Sequence, residues 1–178
     1  MLARVLPLAF LASAASAQPP PTPIFNQVDQ MVQALSRITG WKVTKKIPSR
    51  VLDKNSFRRY VESRMKDGTS PKEIHAQETV LKMFGFVPPD FNLEQETVDL
   101  VSEQAAAFYD YDKKRLFLLD STTDSNEQRV ALVHELAHAL ADQHYPLGKY
   151  LHKGSPDDDA ETARQAVMEG QATWLTWA

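Results

Sequence analysis

The residues best suited to catalysis lie in one short run, His-Glu-Leu-Ala-His at residues 134–138. On an α-helix, positions four apart lie one turn apart on the same face, so the imidazoles of His134 and His138 can reach a single zinc ion. Glu135 lies about 100° around the helix axis from His134, because an α-helix has about 3.6 residues per turn. It can therefore reach a water molecule beside the metal, which suits a general base in metal-assisted hydrolysis.

The alternative is a chance match, because so short a pattern also occurs in unrelated proteins. Residues 130–133 and 139–141 on either side are almost entirely apolar, which predicts a buried helix. Histidine and glutamate are costly to bury without partners, and a bound metal would supply one. A pair of core histidines that satisfy each other without metal is the competing interpretation.

A catalytic zinc site needs a third protein ligand, and two residues compete for that position. Glu169 lies on the last predicted helix. The loop before that helix would allow it to fold back against the helix that carries His134 and His138. His144 lies ten residues after His134, the spacing of metzincins, but Ala141 stands where those enzymes have a helix-breaking glycine. We therefore favour Glu169, and expect His144 to cap or extend from a helix end.

At these two motifs the chain resembles the gluzincins, zinc metallopeptidases that carry HExxH on one helix and a glutamate ligand on the next. Residues 134–144 follow the pattern HELxHALxDQH of an exported bacterial branch, and residues 169–173 follow EGxAT. The resemblance covers residues 105–175 and implies a zincin-like fold. It also implies His134, His138 and Glu169 as zinc ligands, Glu135 as the catalytic base, and a protein or peptide substrate.

The resemblance further implies that a strand before the active-site helix pairs with an extended substrate, and residues 115–119 are the candidate. A plain structural hairpin is the alternative.

Asp142 lies one turn after His138 and could orient a ligand imidazole, although a surface carboxylate at the helix end is favoured. No donor for an oxyanion is identified, and Tyr145, Tyr150 and His152 are the nearby candidates.

The elements that must position these residues follow from apolar spacing and from turn signals. The predicted fold class is α+β, a mostly helical domain with a small antiparallel sheet packed on the helix that carries the motif. Helices are predicted over residues 25–38, 56–68, 71–85, 93–104, 125–144 and from 157–159 past 177, with a strand over 41–52, a hairpin of 105–111 with 115–119, and a loop over 145–158.

The first residues have the features of an export signal. Arg4 precedes an apolar run, and Ala15-Ser16-Ala17 forms a signal-peptidase site, so residues 1–17 are predicted to be cleaved. Residues 18–24 form a Pro-rich linker, and residues 25–178 form one zincin-like domain. Because the last helix has no stop signal, we expect this domain to be truncated at its C-terminal end.

Composition narrows the choice of function further. The 178 residues carry a net charge of −3 and no cysteine, which excludes disulfides, thiolate metal sites and cysteine nucleophiles. A mildly acidic chain has no electrostatic footprint for nucleic acid, and no membrane anchor is expected after signal cleavage. The sequence therefore predicts an exported zinc peptidase that is periplasmic or extracellular. The alternative is an exported zincin-like protein that binds zinc, or acts as a scaffold, without turnover.

Overall fold

The computed structural model describes residues 26–120, 126–151 and 158–178, so the predicted signal peptide (1–17) and the predicted Pro-rich linker (18–24) both lie outside the described part. A mostly helical α+β fold is confirmed. In chain order its elements are α1 (Val28–Thr39), β1 (Ser49–Leu52), α2 (Lys54–Gly68), α3 (Pro71–Met83), α4 (Leu93–Gln104), β2 (Ala107–Asp110), β3 (Arg115–Leu119), α5 (Asn126–His144), α6 (Leu147–Leu151) and α7 (Asp158–Trp177).

The sheet has three strands in the order β1-β3-β2 and is mixed. The predicted hairpin is confirmed, because β2 and β3 pair in antiparallel fashion with Phe108 opposite Phe117. The expectation of a purely antiparallel sheet is wrong, since β1 pairs with β3 in parallel, with Val51 opposite Leu118. A parallel pair needs a long crossover connection, and α2, α3 and α4 provide it.

The predicted strand over residues 41–52 is also too long, because only its last part joins the sheet. Gly40 ends α1 in the left-handed region, with φ of 72°, and the chain then runs irregularly along the end of α5. Gln143 accepts hydrogen bonds from the backbone N–H groups of Thr44 and Lys45. These side-chain contacts replace the strand pairing that the β-branched residues suggested.

One face of the sheet packs on α5 and forms the main core. Leu116 and Leu118 of β3 point to this face, as Ala107 of β2 does, because side chains two apart lie on the same side of a strand. They share a buried cluster with α1, α5 and α7, whose members include Val32, Leu35, Leu132, Leu136, Leu140, Ala172 and Leu175. The helix carrying the two histidines is thereby held between the sheet and two other helices.

The opposite face of the sheet packs on α2 and α4 through a second, smaller core. Phe57 and Val61 of α2, Val98 of α4 and Leu119 of β3 are buried there. The ring of Phe108 lies 5.0 Å from that of Phe57 and 4.9 Å from that of Phe117. The sheet is therefore covered by apolar packing on both sides.

The segment after α5 departs from prediction. Residues 145–158 were expected to form a loop, but α6 occupies part of it and buries Leu147 and Leu151 against Ala141 and Met168. Apolar residues in a short connection find a hydrophobic surface here that local sequence does not reveal. None of the helices in the described ranges is both long and apolar enough to cross a membrane.

Candidate metal centre

The centre is formed where α7 lies against α5. His134 and His138 occupy successive turns of α5 and point the same way, and Glu169 of α7 faces them. Nε2 of His134 lies 3.1 Å from Oε2 of Glu169 and 3.2 Å from Nε2 of His138. Nε2 of His138 lies 3.4 Å from the same Oε2. The three atoms therefore form a nearly equilateral triangle.

This triangle fits the donor set and the size of a tetrahedral zinc site. Zinc bonds to histidine nitrogen and carboxylate oxygen at about 2.0–2.1 Å, which separates neighbouring ligand atoms in a tetrahedron by about 3.3–3.4 Å. The observed sides differ from that spacing by a few tenths of an ångström at most. Among the described residues, these three form the group whose ligand atoms could hold a metal ion.

The protonation of the triangle reflects the proximity of its members. The hydrogen bond from His134 has the largest effect on Glu169 and the one from His138 the next largest; together they lower the pKa of Glu169 to about 2, although partial burial opposes the shift. The hydrogen bond to Glu169 raises the pKa of His134, against the effect of burial. A charged carboxylate beside two imidazoles is an electrostatic environment that a divalent cation would stabilise.

Glu135 lies next to the triangle on α5, and its carboxylate is anchored. Oε2 of Glu135 accepts a hydrogen bond of 2.8 Å from the backbone N–H of Tyr109 in β2. Burial raises the pKa of Glu135, while the nearby imidazoles and the Tyr109 N–H oppose that increase. A carboxyl group with a raised pKa and one anchored oxygen is suited to exchange a proton with a bound reactant.

The structure brings together four of the predicted site residues and separates the rival ligand from them. His134, Glu135, His138 and Glu169 converge, whereas His144 turns away. Nε2 of His144 lies 2.9 Å from the carbonyl oxygen of Lys42, and its ring stacks on Trp41. Because α5 continues without a break through Ala141, the imidazole stays at the helix end, as the backbone argument predicted.

Asp142 does not orient a ligand imidazole, and the expected surface carboxylate is wrong as well. Its side chain is almost wholly buried and accepts hydrogen bonds from the Tyr109 hydroxyl and the Leu147 N–H, each 2.8 Å long. Lys114 pairs with it at 2.6 Å. Nδ1 of His138 is itself buried without a hydrogen-bond partner in the described part of the chain, so Asp142 gives it no support.

A cleft of 610 Å³ opens beside His134 and Glu135. Its walls are the start of β2 with the residues before it, the first half of α5 and the end of α7. Most of the wall surface is apolar and comes from Ala105, Ala107, Val130, Ala131 and Trp177 among others. The cleft is wide enough for side chains of a peptide and leads directly to the triangle.

The strand that borders this cleft is β2, which corrects the expectation for residues 115–119. The proposed substrate-pairing strand, β3, lies between β1 and β2, so both of its edges are already paired. Leu119 N–H donates to the carbonyl of Ala106, and alternate residues of β2 therefore direct their backbone groups toward β3. The N–H and C=O of Ala107 and Tyr109 point the other way, to the free edge beside α5.

The residue that sequence reasoning missed is Tyr109. Its backbone holds Glu135 and its hydroxyl holds Asp142, yet it reads in the sequence as one more apolar residue of a hairpin strand. The available signal was the alternation along the strand, which places Ala107 and Tyr109 on one face. Which element covers that face could not be read from the strand itself.

Comparison of the chain with models of protein families, with curated proteins and with solved structures gives no match.

Proposed function

We propose that this protein hydrolyses peptide bonds with the help of a bound zinc ion. The observation that carries the proposal is the triangle of His134, His138 and Glu169, whose sides of 3.1, 3.2 and 3.4 Å suit zinc, beside a partly buried glutamate, Glu135. Two histidines and one glutamate are the protein ligands of a common class of catalytic zinc site, in which the fourth position is left open.

A bound zinc ion would supply Lewis-acid chemistry, polarising a carbonyl group and lowering the pKa of a water molecule. The chain supplies the proton transfer, which we assign to Glu135. Its carboxylate accepts a proton from the attacking water and can return it to the leaving amine. The Tyr109 N–H holds one carboxylate oxygen in place during this exchange, so the side chain needs no reorientation.

An extended peptide is the substrate that the surroundings of the site favour. The N–H and C=O of Ala107 lie on the edge of β2 that no described strand covers, where a peptide can add as a further strand. Apolar walls in the cleft, among them Val130 and Trp177, would receive side chains of that peptide. Main-chain pairing of this kind gives affinity with little dependence on sequence.

The family of the protein and its location outside the cytoplasm are part of the same proposal. The motifs at residues 134–144 and 169–173 support a zincin-like, gluzincin-type peptidase. The signal pattern ending at Ala17 supports export to the periplasm or beyond the cell. These assignments rest on residue patterns together with the convergence of the two motifs in space.

One observation favours a second candidate, an exported zinc-binding protein without turnover. Apart from His134, the described residues that line the cleft include no histidine, and they include no tyrosine. Peptidases of this type need a second donor to stabilise the oxyanion of the tetrahedral intermediate. Of the three nearby candidates, Tyr145 packs against Trp41 at the end of α5 and Tyr150 lies in α6, while His152 lies outside the described residues.

Substitution of Glu135 separates the two candidates. Purified protein should bind one zinc ion per chain and cleave a labelled casein or a mixture of quenched fluorescent peptides. Glu135→Gln should keep the zinc and lose activity by roughly 10²–10⁴, because the amide cannot accept the proton. Glu127→Gln is the matched control, since Glu127 lies on the same helix and lines the same cleft, away from the triangle.

Zinc bound by the wild type without cleavage of either substrate would favour the non-catalytic candidate. Equal turnover by wild type and Glu135→Gln would remove Glu135 from the mechanism. Wild-type zinc binding by a His134→Ala, His138→Ala double variant would refute the metal site itself.

A further inference from the structure

Tyr109 is held by α5 at both of its ends. Its backbone N–H donates to Oε2 of Glu135, and its hydroxyl donates to Oδ2 of Asp142, with both distances 2.8 Å. Glu135 and Asp142 lie roughly two turns apart on the same face of the helix. One residue of the edge strand thus spans the distance between the proposed base and a second, buried carboxylate.

Asp142 is held by polar partners from three other parts of the fold. Besides the tyrosine hydroxyl, it accepts the N–H of Leu147 at the start of α6, and Lys114 pairs with it from the hairpin turn. Lys114 adopts a φ of 52°, in the left-handed region that side chains other than glycine disfavour. A buried carboxylate with several partners specifies one arrangement, since loss of any partner is costly.

From this geometry we infer that Asp142 and Tyr109 are positioning residues for Glu135. Asp142 holds the ring of Tyr109 against α5, and the ring in turn sets the position of β2 along the axis of α5. The Tyr109 N–H then holds the carboxylate of Glu135 in place. The same contact sets the register of the Ala107 backbone edge relative to the triangle. The kinetic part of this inference rests on the proposed function, whereas the contact with Glu135 does not.

A second tyrosine–aspartate pair provides a matched control. The hydroxyl of Tyr60 donates to Oδ2 of Asp110 at 3.1 Å, on the side of the sheet that faces α2. Both tyrosines are half buried, and burial raises the pKa of each, so each hydroxyl stays neutral and remains a donor. Removal of either hydroxyl deletes the same kind of hydrogen bond, but only Tyr109 also contacts Glu135.

The test compares Tyr109→Phe with Tyr60→Phe in the zinc-loaded protein, using the best-cleaved fluorescent peptide. Tyr109→Phe should lower kcat roughly ten- to a hundredfold with little change in KM, because the base is misplaced while the cleft is intact. Tyr60→Phe should leave both constants unchanged. Asp142→Ala should resemble Tyr109→Phe. Asp142→Asn should recover part of the loss, since its amide oxygen can still accept the hydroxyl, whereas its NH2 group cannot accept the Leu147 N–H or pair with Lys114.

Hydrogen exchange provides a readout that does not depend on activity. The backbone amide at position 109 should exchange at least roughly tenfold faster in Tyr109→Phe and Asp142→Ala, and at the wild-type rate in Tyr60→Phe. Circular dichroism confirms that each variant is folded, and Tyr109→Phe carries the test if Asp142→Ala does not fold.

Equal kinetic effects in the Tyr109 and Tyr60 variants would overturn the inference, because a merely structural contact predicts that result. An inactive wild type would refute the proposed function alone, and amide exchange would then decide. Unchanged exchange at position 109 in Tyr109→Phe would overturn the inference in either case.

Discussion

The two faces of the sheet differ in what their polar groups do. On the face toward α2, Tyr60 and Lys113 pair with Asp110, and the buried core beside them is aromatic and aliphatic. On the face toward α5, Tyr109 pairs with Asp142 in a similar way, but polar groups of a second kind lie beyond that pair. His134, His138 and Glu169 converge without fully satisfying one another.

This difference separates polar groups that only support the fold from polar groups that could bind a ligand. In each tyrosine–aspartate pair, a lysine and backbone N–H groups complete the set of partners, so the carboxylate is satisfied within the protein. Two imidazoles directed at one carboxylate oxygen form a group whose ligand atoms could hold a divalent cation. Substitutions on the two faces should therefore affect stability alike and zinc binding very differently.

The largest expected effect is at the third ligand. Glu169→Ala should weaken zinc binding by more than about a hundredfold, because loss of a ligand exceeds the 10- to 100-fold cost known for its supporting groups. His144→Ala is the control, since its imidazole bonds Lys42 and stacks on Trp41 instead. Titration against a competing chelator measures both affinities.

By linkage, the wild type should also gain thermal stability when zinc is added, and Glu169→Ala should gain much less. Wild-type zinc affinity in Glu169→Ala, together with loss of zinc in His144→Ala, would reverse the ligand assignment.

The next largest effect is expected in β3, where two neighbouring leucines face opposite sides of the sheet. Leu118 belongs to the α5 core and Leu119 to the α2 core, and both are buried. Each leucine-to-alanine substitution should lower the free energy of unfolding by about 2–5 kcal/mol, measured by urea denaturation without zinc. Only Leu118→Ala should also weaken zinc binding, because it loosens the packing that supports α5.

Equal losses of zinc affinity in Leu118→Ala and Leu119→Ala would show that the metal centre depends on overall stability rather than on the α5 face. Wild-type zinc affinity in both variants would show that α1 and α7 position α5 without help from the sheet.

The smallest effect is expected far from the metal centre, at the start of α3. Ser70 caps this helix, accepts the N–H of Glu73 and receives the reciprocal contact from the Glu73 side chain. Ser70→Ala should lower the free energy of unfolding by about 1 kcal/mol, and Ser70→Asn should retain most of it. Neither should alter zinc affinity, and a clear change in chelator titration would contradict the separation of the two regions.

Much of the helical framework could be predicted because its signals are local. The bounds of α4 and β3 agree with prediction, and α5 follows its apolar spacing to His144. The strand over residues 41–52 was overextended, since β-branched residues there contact Gln143 rather than a neighbouring strand. α6 was missed, because Leu147 and Leu151 become helical against a surface formed by Ala141 and Met168.

Within the site, the sequence by itself determined the pairing of His134 and His138, because a spacing of four residues on a helix fixes which side chains share a face. It also determined that Ala141 carries the helix onward, which removes His144 from that face. These are consequences of local backbone geometry, and they hold wherever the helix lies in the fold.

The tertiary structure alone decided the rest. It brought Glu169 to the histidines, placed β2 rather than β3 at the edge of the cleft, and joined Tyr109 to both Glu135 and Asp142. Each of these contacts links residues far apart in the chain, and their positions depend on how whole helices and strands pack. Local propensity carries no information about that packing, since the same strand pattern is compatible with either edge of a sheet.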